Sequence, residues 1–175
     1  GYKLVLVDSC VKHELASSAY NQRRQSCENV CAAIKKNHPD VEFLSDAKRV
    51  WLEEVRELVP EEDFLRAEYV IGEVQRVLDV CDALERSDYE TVGEMMYQTH
   101  FGLSRLYEVS CEELDFLNKL ARKCDVTGSR VMGGGFGGCT INLVKDNLYD
   151  DFVNTAIEKF TEKFGHAPKI YDVVI

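Results

Sequence analysis

Gly128–Cys139 reads GSRVMGGGFGGC, and five of the six residues from Gly133 to Gly138 are glycine. Glycine costs folding entropy, so a run of it marks a backbone that needs positive φ or close approach. Residues without a Cβ also leave amide N–H groups free to converge on an anion. Three uses compete. A hairpin turn needs only two glycines. A flexible linker fits poorly, because Phe136 interrupts the run and the apolar stretch Thr140–Val144 follows directly. The third use is to contact phosphate or to support a phosphate loop. The GK[ST] ending of a P-loop is missing, and a dinucleotide fingerprint stands between a strand and a helix, whereas here a strand follows.

That placement decides the fold. Ser129–Met132 is short and strand-like and Cys139–Val144 is an apolar strand, so the glycines form the tip between two strands. After them, Phe152, Val153, Ala156, Ile157, Phe160 and Phe164 share one side of a helix over about 148–164. Gly165 is a fitting C-terminal stop, and Lys169–Val174 reads as a strand. Before them, Ser110 with Glu113 is the pattern of a capping box, opening a helix to about Lys123 whose face is Leu114, Leu117, Leu120 and Ala121.

Further back, Pro60 and the acids Glu61, Glu62 and Asp63 start a helix that runs to about Arg86. Phe64, Ala67, Ile71, Val74, Leu78 and Cys81 repeat at 3, 4, 3, 4, 3 and read as one buried stripe. Tyr89, Val92, Met96, Thr99 and Leu103 form the returning stripe of a helical hairpin. A shorter helix is expected over 46–58, capped by Ser45 or Asp46, with Val50, Trp51 and Val55 inward. Another helix runs from about Tyr20 to Lys36, with Ser17 or Ser18 as its cap. Arg23 and Arg24 in its first turns oppose the helix dipole, which asks for a partner or a solvated face. Lys3–Asp8 reads as a buried strand. The order strand, helical block, strand, glycine loop, strand, helix, strand is βαββαβ. This predicts an α+β, ferredoxin-like domain with a four-stranded antiparallel sheet and an expanded helical block.

The chain of 175 residues is 45% hydrophobic and 30% charged, as expected of one globular domain. Its net charge of −10 argues against nucleic acid or an anionic membrane as a partner. The seven cysteines are odd in number and scattered. Cys27 and Cys31 lie four apart on a helix face, but His38 is a poor candidate to complete a zinc site. The cysteines read as reduced thiols and the chain as cytoplasmic. It opens directly on strand-like sequence, GYKLVLVD, and is expected to be the downstream part of a longer polypeptide.

Three stretches carry a resemblance: SCVKHELASSAYNQRRQSCE (Ser9–Glu28), YEVSCEELD (Tyr107–Asp115) and GSRVMGGGFGGCTI (Gly128–Ile141). Together they resemble the C-terminal domain of galactokinases, members of the GHMP kinase family, over essentially all of residues 1–175. The glycine loop belongs to the wider family, and the segment with Tyr20, Arg23 and Arg24 is the galactokinase-specific part. The resemblance implies transfer of the ATP γ-phosphoryl to the C1 hydroxyl of α-D-galactose, with Mg²⁺, in a cleft shared with an N-terminal domain. It implies that the catalytic residues, the main phosphate loop and the Mg²⁺ ligands belong to that other domain, so no catalytic or metal residue is expected in this chain. Tyr20 matches the tyrosine whose hydroxyl contacts the sugar; otherwise it reads as a half-buried tyrosine at a helix start. Gly133, Gly134 and Gly135 match the motif beside the phosphate loop. Lys12 matches a basic position near the cleft, and a solvated lysine is the equal alternative.

The chain departs from the family at Met132, where Thr is usual, at Ser104, Arg105 and Leu106, where Arg-Asp-Asp is usual, and at Val74 in place of Asn. These leave sugar specificity open. Those at Met132 and Leu106 also fit a different role, a non-catalytic sugar-and-ATP sensor that binds a protein partner.

Overall fold

The computed structural model describes residues 1–12 and 16–174, with the backbone alone at 16 and 17. Strands β1 (Tyr2–Asp8), β2 (Gly128–Val131), β3 (Cys139–Lys145) and β4 (Lys169–Asp172) form one sheet in the order β2-β3-β1-β4. Every neighbouring pair is antiparallel. This is the strand order of a ferredoxin-like βαββαβ unit, as the sequence predicted.

The register places Val5 opposite Asn142 and Asn142 opposite Ser129, so one row of side chains crosses three strands. Leu4–Val7 is not a uniformly buried run. Val5 and Val7 turn to one face, where they pack with Val144 beneath helices α5 (Glu112–Lys123) and α6 (Tyr149–Phe164). Leu114, Leu117, Leu120 and Ala121 are buried as expected, and so are Phe152, Ala156 and Phe160. Burying an aliphatic or aromatic side chain contributes about 1.5–3 kcal/mol, so this layer anchors the sheet. The other face carries Leu4, Ile141 and Leu143. It meets the hairpin of α3 (Glu61–Glu85) and α4 (Tyr89–Arg105) through Ala83, Val92 and Met96.

α4 begins where Asp88 accepts a hydrogen bond from Thr91 N at 3.1 Å and another from the Thr91 hydroxyl at 2.6 Å. It crosses β2 on a pair of glycines: a Cβ at Gly93 would stand 2.0 Å from Thr127 O, and one at Gly128 2.5 Å from Gly93 Cα. α6 stops at Gly165, which adopts φ 77° and donates to Thr161 O at 2.9 Å.

Several expectations are corrected. Ser110 does not cap α5; the N-cap position is Cys111, and the Ser110 hydroxyl donates instead to Asp115 Oδ1 at 2.7 Å. The helix expected over 46–58 is three pieces: single turns at Leu44–Asp46 and Arg56–Leu58, and a helix α2 at Arg49–Glu54. Asp46 spends its carboxylate on the N–H groups of Glu42 and Phe43, closing a local turn, and Lys48 is then extended. Val55 is buried and Val50 is exposed; Leu52, not Val50, fills the core with α1 (Ala16–Lys35) and α3. α1 starts at Ala16, ahead of the expected Tyr20, so Ser18 lies within it, and the side chain of residue 17 lies outside the described residues. The α3 stripe is buried at Phe64 and Ala67 and exposed from Val74 onward.

Candidate functional site

α1 brings Tyr20 and Arg23 to one end of the sheet. Arg23 is buried, and its charge is answered by backbone: Nε donates to Tyr107 O at 2.9 Å and Nη2 to Glu108 O at 2.5 Å. Burial first, then the nearby Arg66, draws this guanidinium below its usual pKa. Arg24 is solvated and pairs with Glu28 one turn on. The dipole argument therefore found a partner for Arg23, and that partner is a loop.

The same loop holds the glycines. Val109 O accepts from Phe136 N at 2.6 Å, and a Cβ on Gly135 would stand 2.1 Å from that oxygen. Residues 107–109 thus clamp α1 on one side and the glycine loop on the other. A second arginine braces the clamp: buried Arg66 on α3 donates to Ser26 Oγ at 2.9 Å and pairs with Glu62 and Glu108. Phe136 is partly buried beside Val109 and Leu114, with the Arg23 guanidinium 5.4 Å above its ring.

Within the loop, Gly133 and Gly135 adopt φ of 79° and 78°. Gly134 does not need positive φ; its exposed backbone faces the Tyr20 ring, 3.5 Å from where a Cβ would stand. Among the described residues, no backbone carbonyl accepts from the N–H of Gly133, Gly134 or Gly135, whereas Met132, Phe136 and Gly138 all donate to carbonyls. The open end of the loop is therefore a row of amides without Cβ cover, suited to a phosphate or another anion.

Tyr20, Gly133 and Gly134 line a cleft of about 340 Å³ together with Tyr69, Glu73, Val74, Tyr107 and Val109. Tyr20 is 51% exposed. Tyr69 and Tyr107 pack their rings at a tilt, 5.2 Å apart, and burial raises both phenols above their usual pKa, so they stay neutral donors. Glu73 accepts from Thr99 Oγ1 at 2.7 Å and pairs with Arg76. Aromatic faces, hydroxyls and loop amides together suit a polyhydroxylated ligand carrying or receiving a phosphate.

Tyr69 and Glu73 were not singled out in the sequence. They sit one turn apart on a helix whose apolar stripe reads as core, and no motif marks them. Lys12 lies beyond the other end of the loop: Gly138 N donates to Val11 O, and the exposed Lys12 side chain is not part of the cleft lining. Of the departures, Val74 lines the cleft and exposed Met132 begins its loop. Ser104 turns away, its hydroxyl donating to Asp115 Oδ2 at 2.9 Å. No group of three His, Cys, Asp or Glu among the described residues is placed to hold a metal ion.

Residues 81–164 match the family model described as GHMP kinases C terminal. A galactokinase of Thermotoga maritima is 40% identical over 172 residues, which cover 94% of this chain and 45% of the relative. A galactokinase of Clostridium acetobutylicum is 37% identical over 177 residues, covering 100% of this chain and 45% of the relative. The crystal structure of Lactococcus lactis galactokinase complexed with galactose superposes with a TM-score of 0.91 at 26% identity, over 99% of this chain and 45% of that one. L. major mevalonate kinase in complex with R-mevalonate shares the fold, with a TM-score of 0.61 at 21% identity, over 98% of this chain and 41% of that one. The chain spans a little under half the length of the curated relatives it matches.

Proposed function

Because this chain belongs to the GHMP kinase family and carries its C-terminal domain, we propose that it is the C-terminal part of a galactokinase that phosphorylates α-D-galactose at C1 with ATP. Residues 1–175 then form one wall of a cleft whose other wall is an N-terminal domain. The observation that carries this reading is that the Tyr20 ring abuts Gly134 in one cleft, though the two are far apart in sequence. The wider family explains a glycine loop; a phenol beside it accounts for a sugar. Tyr20 donates to and accepts from sugar hydroxyls, and Gly133–Gly135 face the phosphates or the loop that binds them. The exposed glycine amides fit the nucleotide's phosphates. Mg²⁺, which neutralises charge on the phosphates when bound, takes its ligands outside the described residues.

Phosphoryl transfer depends on positioning and electrostatics. In this reading the clamp of Arg23, Arg66 and residues 107–109 holds the sugar tyrosine at fixed reach of the glycine loop. Seven free thiols suit a reducing cytoplasm, and no helix among the described residues is long and apolar enough to cross a membrane.

The test is Tyr20→Phe in the full-length kinase. Galactose binding weakens by roughly 0.5–1.5 kcal/mol, about a 2- to 10-fold rise in Kd, while ATP affinity holds. An unchanged galactose Kd removes Tyr20 from the sugar site. Formation of galactose 1-phosphate by the unmodified kinase separates an enzyme from a sensor that binds both ligands without turnover.

A further inference from the structure

α3 is apolar along one side for its whole length; its first half is covered, and in its second half Val80 and Ala83 pack toward α4 and the sheet while the rest of the apolar side stays open. Phe64 and Ala67 are buried; beyond them Val74, Val77, Cys81 and Leu84 continue at spacings of 3, 4 and 3 and stay exposed, Val77 at 54% and Leu84 at 48%. A stripe with helical spacing marks a covered face, and contiguous exposed apolar surface of this kind marks an interaction site.

Val77, Cys81 and Leu84 form one wall of a groove of about 780 Å³. The opposite wall is the sheet face not covered by α5 and α6, with Tyr2, Leu4, Ile141 and Leu143. The groove runs on into the cleft of Tyr20, since Tyr69, Glu73, Val77, Leu103 and Gly133 line both. Of its charged residues, Arg76 is answered by Glu73. Lys3 leans to the other face of the sheet, over the Tyr149 ring. Arg130 shares the groove face through its pairing with Ile141, and its Nη1 donates to Val131 O. No carboxylate among the described residues pairs with it. On a chain of net charge −10, the groove thus presents an uncompensated cation.

We propose that this groove seats a polypeptide segment from the part of the kinase outside residues 1–175, apolar at its centre and carrying a carboxylate toward Arg130. The proposal rests on the reading of the chain as one part of a longer kinase, and names the surface by which the parts join. The matched relatives have more than half of their length beyond the match, ample chain for such a segment. A second copy of this chain is the poorer occupant, because two chains each of net charge −10 repel one another.

Cys81 is a native probe. It lines the groove and is exposed in residues 1–175, and thiolate labelling follows access. In the full-length kinase, maleimide labelling of Cys81, located by mass spectrometry, runs at least 10-fold slower than for an unstructured cysteine peptide. The double substitution Val77→Glu with Leu84→Glu removes that protection, and Arg130→Glu reduces it while Arg130→Lys preserves it. Labelling of the unmodified protein at the free-peptide rate overturns the proposal without need of any variant. So does protection that disappears on dilution together with a dimeric mass, which assigns the groove to a second copy. Labelling needs no turnover, so a protected Cys81 in a protein that leaves galactose untouched sinks the sugar assignment and keeps the docking surface.

Discussion

At the scale of single residues, Gly135 sits at φ 78° with Val109 O 2.1 Å from the place of a β-carbon, and Gly134 beside it has room to spare. Left-handed backbone costs an L-residue roughly 1–2 kcal/mol before any clash. Gly135→Ala is therefore expected to lower unfolding free energy by at least about 2 kcal/mol, since it also parts Phe136 N from Val109 O. Gly134→Ala is expected to leave stability within about 1 kcal/mol and to act at the cleft. Urea denaturation of the two variants checks the contrast; equal losses would mean that the clamp does not set the loop. The sequence offered both residues as equal members of a glycine run. Nothing local distinguishes them, because the distinguishing atom belongs to Val109.

At the scale of elements, Asp115 ties α4 to α5. Burial opposes its charge, but His100 Nε2 at 3.0 Å and the hydroxyls of Ser110 and Ser104 outweigh that, holding the carboxyl at about 2. A carboxyl depressed below its unfolded value near 3.8 contributes stability above that pH and loses it as pH falls toward 2. The contribution is about 2 kcal/mol. Asp115→Asn is expected to destabilise the protein at pH 6, with the gap to the unmodified protein closing between pH 4 and pH 2. A gap constant across that range would show that the carboxylate charge is not what joins the helices. The sequence marked Ser110 as a helix cap, a local role. The structure spends the hydroxyl on a residue one turn inside the helix, because His100 and Ser104 converge there from α4.

At the scale of the whole molecule, α5 and α6 cover one face of the sheet, the α3–α4 hairpin meets the other, and a helical core of α1, α2 and α3 stands beside it. Residues 1–175 are expected to fold cooperatively and not to phosphorylate galactose alone. Groups that position a phosphoryl act as a unit, and part of a unit gives almost none of its rate. A cooperative melt with no product, and product on adding the rest of the kinase, is the expected pair of results. Steady turnover by residues 1–175 alone would place the chemistry within this chain.

The sequence by itself determined the element order, the ferredoxin-like class, the buried face of α5, the buried Phe152, Ala156 and Phe160 of α6 though not Ile157, which is exposed, and the glycine tip between β2 and β3. These are carried by periodicity and by glycine, proline and acidic residues at element ends, all of which act within a few positions along the chain. Only the tertiary structure decided that Arg23 is answered by carbonyls of residues 107 and 108, that Tyr69 and Glu73 line the cleft, and that half of the α3 stripe lies uncovered. Periodicity reports which side of a helix is apolar. What lies against that side is fixed by contacts between residues distant in sequence, and those exist only once the chain has closed.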